Sequence, residues 1–223
     1  KHVMADVSSI RAAISKSRLL VRVNPLWEGS KAEIDEVISR GADIIMLPMF
    51  HTPDDAKQFV DLVNGRAQVL LLAETIEAER NIDAIASVPG VDEIHIGLND
   101  LHLAYNMTFM FELLANGQVE AMTKKIASHG IPYGFGGIAR LDEGMLPARH
   151  VIAEHYRLGS SMAILSRSFC DISKETCLSD ISTKFSEGMK NIREYECFLS
   201  KQSSSFFAEN QETVIRSVND LKR

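Results

Sequence analysis

Four short apolar runs, LLVRVN at 19–24, DIIMLP at 43–48, QVLLLAE at 68–74 and EIHIGL at 93–98, recur with their centres about 25 residues apart. Each is too uniformly apolar for a strand with one wet face, so it needs burial on both sides. Parallel strands receive that burial from intervening helices, and each interval has room for one. The spacing predicts repeated βα units. Two later runs, IPYGFGG at 131–137 and SSMAILS at 160–166, continue the rhythm and bring the expected barrel strands to six.

The segments between the runs carry helix signals. Ser30 followed by Glu33 forms a capping box ahead of EIDEVISR, with Gly41 placed to end that helix. Thr52 caps a helix opening at Pro53, where a missing N–H costs nothing. TIEAERNIDAIASV supplies the next helix, and Pro89–Gly90 turns the chain back. Helices are also expected over 118–129 and 147–156. The apolar stretch 101–115 reads as a helical insertion on the core, or as an element near a ligand or subunit contact. Residues 171–223 hold no further βα unit and read as a helical tail.

Composition narrows the function. The 223 residues lack a linker or compositional break, so one domain is the default. A net charge of −6 argues against a chain that neutralises phosphates, and nucleic acid is excluded as a partner. The apolar runs are strand-sized, so neither a membrane span nor a signal segment is expected, and the protein is read as cytoplasmic. Cys170, Cys177 and Cys197 are scattered and fit reduced thiols better than a disulfide framework or zinc knuckle. The chain begins with Lys1 rather than Met, which suggests a start inside a longer product.

In a βα fold, residues just past the strands' carboxyl ends face one crevice. The runs deliver Arg22 and Asn24, then Glu74, then Gly97, Asn99 and Asp100, and finally the GFGG turn. Glu74 and Asp100 suit a hard divalent cation, although a helix N-terminal charge and a cap are equally open to them. Arg22 lies in an apolar strand, where its charge calls for a carboxylate or oxyanion partner, structural or bound. Gly97, Gly136 and Gly137 permit close backbone approach to a ligand or relieve crowding at turns. His95 reads as a packing residue, while His51 and His102 are weaker candidates for ligand contact. Serine-hydrolase, P-loop and dinucleotide-binding constellations are absent.

The ordered set LLVRVN, GADIIMLPMF, LLAETIEAERNIDAIASVPGVDEIHIGLNDL and YRLGSSMAIL resembles the HpcH/HpaI aldolase and citrate lyase beta-subunit superfamily over roughly residues 19–166. The resemblance implies an α/β fold, a modified TIM (β/α)8 barrel whose first strands lie outside this chain. It further implies a catalytic barrel at 1–169 and a helical C-terminal extension at 170–223 packed on the barrel or on a neighbouring subunit. Glu74 and Asp100 would hold Mg²⁺ or Mn²⁺, or another divalent metal. Arg22 would be the catalytic residue that binds and polarises a 2-keto acid or its enolate, and the backbone N–H groups of Gly97 and Asn99 would receive the substrate carboxylate.

The implied activity is metal-dependent aldol or carbon–carbon cleavage of a small 2-keto acid or hydroxy-keto acid by a homo-oligomer. A CoA-thioester lyase and a noncatalytic binding barrel are the alternatives. The sequence departs from the family in two places. The two strands preceding the arginine strand, with their D-x-E-H-like histidine, are not in this chain, and neither His2 nor His102 takes that position. LPMF lacks the lysine of citrate-lyase-like LPK, and no CoA-binding signal stands out.

Overall fold

The structure is a computed structural model that describes residues 3–169 and 177–222. Cys170 and the expected boundary at 169/170 reach outside the described residues, as does His2. Among the described residues six strands form, one in each predicted run: β1 (Leu20–Arg22), β2 (Ile44–Leu47), β3 (Gln68–Ala73), β4 (Glu93–Ile96), β5 (Tyr133–Ile138) and β6 (Met162–Leu165). All neighbours pair in parallel, in the order β1-β2-β3-β4-β5-β6. β1 and β6 remain edges, so the sheet is an open, curled half-barrel.

Strand alternation divides the side chains between two faces. Met46, Leu70 and Leu72 lie on the concave face, where they pack with Ile44 and, across the curl, with Met162 of β6. Ile45, Leu47, Leu71, Ile94, Ile96 and Phe135 point the other way into the main core against the helices. The first of these helices are α1 (Met4–Ala13), α2 (Ser30–Ser39), α3 (Pro53–Val63), α4 (Ile76–Arg80), α5 (Ile82–Ala86) and α6 (Leu98–Ala104). Five more follow: α7 (Glu112–Ala115), α8 (Gln118–Ser128), α9 (Ala148–Arg157), α10 (Leu178–Leu199) and α11 (Ser204–Leu221).

Thr52 caps α3 as expected. Its side chain accepts from Asp55 N, the Asp55 carboxylate answers from N3, and Pro53 opens the helix. Ser30 departs from expectation because it is the first residue of α2, not its cap, and its Oγ accepts from Trp27 N at 2.9 Å. That frees Glu33 for a different task, described below. The single helix expected over 75–88 breaks at Asn81 into α4 and α5. The 101–115 stretch becomes α6 and α7, with Leu101, Phe111, Leu113 and Leu114 buried in the core.

The tail folds back onto the same chain. α11 lies on α9, and Asn210 Nδ2 donates both to His150 O at 3.1 Å and to Glu154 Oε1 at 3.0 Å. Glu154 is itself buried and ion-paired at 2.7 Å with Arg157, which reaches Glu120 at 2.8 Å. Ile192, Leu199, Val214 and Val218 join the core formed by the barrel helices. Among the described residues, no helix is long and apolar enough to cross a membrane.

Candidate active site

Glu74 is the residue after β3, and the alternation set by Leu70 and Leu72 carries its side chain to the concave face. Gly97 stands in the same relation to His95 of β4. An ideal Cβ at Gly97 would fall 2.8 Å from Glu74 Cβ and 2.9 Å from its Oε2, so only hydrogen fits there. The Gly97 N–H donates to Ala73 O at 2.9 Å and its carbonyl accepts from Leu101 N at 3.2 Å. The amide expected to receive a substrate carboxylate is therefore already used by the sheet ladder. The role of Gly97 is to make room for Glu74.

From Gly97 the chain turns into α6, which places Asn99 and Asp100 in its first turn. N–H groups there have no acceptor within the helix. The Asp100 carboxyl comes within hydrogen-bonding reach of Glu74. Glu74 is only 4% exposed. Burial, together with the Asp100 carboxylate beside it, pushes the Glu74 carboxyl up to about 7, against the opposing pull of the Met49 N–H and the Arg22 charge. Two carboxyls cannot both ionise comfortably in such a place without a counter-charge. A proton or a cation relieves the conflict.

Met49 contributes through its backbone. Its N–H donates to Glu74 Oε1 at 3.2 Å from a left-handed conformation, φ 51°, which a side-chain-bearing residue adopts at a cost. Sequence reasoning missed this donor, because nothing in LPMF announces a positive φ. Arg22 is close enough to act on Glu74 electrostatically, yet it is exposed, and among the described residues it has no ion-pair partner. Strand alternation turns Arg22 toward the cleft, where the carboxylate or oxyanion partner expected for it would lie.

Arg22, Asn24, Glu33, Met49, Glu74 and Asp100 line one cleft of about 850 Å³ at the carboxyl ends of the strands. Glu74 and Asp100 present the oxygen donors that a hard divalent cation takes, leaving water and substrate to complete its shell. Among the described residues, no group of three or more His, Cys, Asp or Glu is placed to hold a metal, so the candidate rests on this pair. The pair fits a cation because, once Glu74 gives up its proton, a bound positive charge offsets the repulsion between the two carboxylates.

Among the described residues, no histidine lines the cleft. His95 is buried, donates through Nε2 to Gly136 O at 3.1 Å and is driven down to about 4 by burial, which makes it a neutral packing residue. His102 donates through Nδ1 to Leu98 O at 3.1 Å within α6, and His51 lies on the surface 3.3 Å from Glu77. Glu33, which sequence reasoning paired with Ser30 in a capping box, instead clasps Asn24 and Trp27.

No curated protein matches the chain. Solved structures share its fold. An HpcH/HpaI aldolase/citrate lyase family protein from Burkholderia cenocepacia J2315 aligns at 18% identity over 86% of this chain and 81% of that one, with a TM-score of 0.63. The HpcH/HpaI aldolase from Desulfitobacterium hafniense DCB-2 aligns at 16% identity over 87% and 80%, with a TM-score of 0.61. CitE from Mycobacterium tuberculosis, in complex with magnesium and acetoacetate, aligns at 14% identity over 81% and 80%, with a TM-score of 0.58. The HpcH/HpaI aldolase/citrate lyase family model matches residues 1–113, just over half of the chain, and that stretch holds Arg22, Glu74, Gly97, Asn99 and Asp100. The chain belongs to the HpcH/HpaI aldolase/citrate lyase family.

Proposed function

We propose that this protein is a divalent-metal-dependent lyase that cleaves or forms a carbon–carbon bond next to a 2-keto acid. The observation that carries the reading is the buried Glu74 carboxyl with the Asp100 carboxyl beside it, in one cleft with the Arg22 charge. CitE of M. tuberculosis, a structural relative, is seen with magnesium and acetoacetate. Glu74 and Asp100 would hold Mg²⁺ or Mn²⁺, which when bound supplies Lewis acidity toward the substrate's carboxylate and keto oxygens.

Arg22 binds the keto acid and meets the negative charge that develops on its keto oxygen. In the cleavage direction the aldol hydroxyl gives up its proton to solvent in the open cleft, its carbon becomes the aldehyde carbonyl, and the electron pair of the breaking C–C bond passes into the enolate. Protonation of the enolate carbon then yields the 2-keto acid. An exposed guanidinium can swing onto the arriving substrate, and its charge is worth more once the substrate displaces water from the cleft. Asn99, in the first turn of α6, would offer its backbone N–H to the substrate carboxylate. Gly97 keeps Glu74 seated, and Met49 holds one of its oxygens.

A keto-acid panel assayed for aldol cleavage and for enolisation, with and without Mg²⁺ or Mn²⁺, tests the proposal. Metal-dependent turnover that falls at least ~100-fold in Asp100→Asn and Arg22→Ala supports it. Turnover indifferent to both changes, or no turnover with any member of the panel, overturns it.

A further inference from the structure

We propose that Asn24 is a specificity-determining residue whose side-chain oxygen accepts a hydrogen bond from a substrate hydroxyl, and that Glu33 is the positioning residue that turns it. This rests on the cleft being a keto-acid site and adds the group that separates a hydroxylated keto acid from a plain one.

Glu33 projects from the first turn of α2 back over the loop that follows β1. Its Oε1 accepts from Asn24 N at 3.1 Å and from Asn24 Nδ2 at 2.8 Å, while its Oε2 accepts from Trp27 Nε1 at 3.2 Å. All three partners are donors, as a carboxylate requires. That chemistry settles which way the Asn24 amide is turned: the nitrogen must face Glu33, so Oδ1 faces away from it. Among the described residues, Oδ1 has no hydrogen-bond partner.

Asn24 lies two residues beyond Arg22 and lines the same cleft as Arg22, Glu74 and Asp100. Arg22 brings positive charge for the carboxylate and keto end of a ligand. Asn24 Oδ1 brings a neutral acceptor, which suits a hydroxyl and disfavours a second anionic group. A ligand without the hydroxyl leaves this oxygen desolvated and unpaired, which is the basis of discrimination by a polar site.

Trp27 is the only tryptophan in the chain, so its fluorescence reports on the clasp directly. Stopped-flow Trp27 emission, which reads binding before turnover, can be followed with pyruvate and with 4-hydroxy-2-oxopentanoate at saturating Mg²⁺. Asn24→Ala should weaken the hydroxylated acid about five- to tenfold and leave pyruvate unchanged. Glu33→Ala should do the same, and should also shift Trp27 emission to the red and raise its quenching by acrylamide. Glu33→Gln, whose amide carbonyl still accepts from Asn24, should restore most of the selectivity. Equal weakening of both acids by Asn24→Ala, or of neither, overturns the inference alone. Failure of the unsubstituted protein to bind either acid in a Mg²⁺-dependent manner overturns the reading of the site, and this inference with it. If Glu33→Ala does not fold, as judged by circular dichroism, the Asn24→Ala comparison decides.

Discussion

Replacing Glu74 by Gln should stabilise the metal-free protein above neutral pH while removing its response to Mg²⁺. In the unfolded chain this carboxyl titrates near 4.5, and in the folded protein at about 7. Between those values the folded protein holds a proton that the unfolded chain has released. Stability therefore falls as pH rises through this window, with no penalty below 4.5 and the full penalty above about 7. The gap corresponds to about 3 kcal/mol, at ~1.36 kcal/mol per pH unit. Glutamine is neutral at every pH, keeps an oxygen for the Met49 N–H, and replaces repulsion from Asp100 with an amide donor.

Urea unfolding of both proteins in EDTA at pH 5 and pH 8 measures the effect, and taking the difference between them cancels the other titrating groups. The two should be nearly equal at pH 5, with the variant more stable by up to about 3 kcal/mol at pH 8. For a chain of this size that is roughly 6–12 °C in Tm. Mg²⁺ should then stabilise only the unsubstituted protein, by mass action on its folded state. A difference independent of pH, or equal stabilisation of both by Mg²⁺, would refute the account of the pair.

Gly97→Ala places a methyl group against Glu74 Cβ and Oε2 and should cost about 1–3 kcal/mol while displacing that carboxylate. A thermal melt with and without Mg²⁺ checks both effects, and an unchanged midpoint with an intact Mg²⁺ response would count against them. Asn210→Ala leaves the His150 carbonyl and the buried Glu154 short of a donor and should cost about 1–3 kcal/mol. Hydrogen exchange should then quicken in α11 ahead of the sheet, and uniform quickening would show that the tail is not separately anchored.

The strands were legible because each apolar run is strand-sized and needs cover on both faces, a requirement that is local in sequence. The same alternation that sends Leu70 and Leu72 inward sends Glu74 to the cleft, so the candidate carboxylates were visible as strand endings. Thr52–Pro53 was legible for a similar reason, since capping is decided within one turn of chain.

What sequence could not decide depends on distances between segments that are remote along the chain. Glu33 had a local partner on paper in Ser30, but the loop after β1 brings Asn24 and Trp27 to it instead. Gly97 looked like a ligand-binding amide until the pairing of β3 with β4 took that N–H and set its α-carbon against Glu74. Arg22 stands in a list of apolar neighbours, yet strand alternation turns its side chain to the cleft and away from the helix-covered core. Sequence by itself determined the βα rhythm, the faces of the strands and the residue types at their ends. Only the tertiary structure decided that the buried Glu74 carboxyl has the Asp100 carboxyl beside it, because their repulsion, which adds to burial in pushing the Glu74 carboxyl up, exists only once β3 and α6 are side by side.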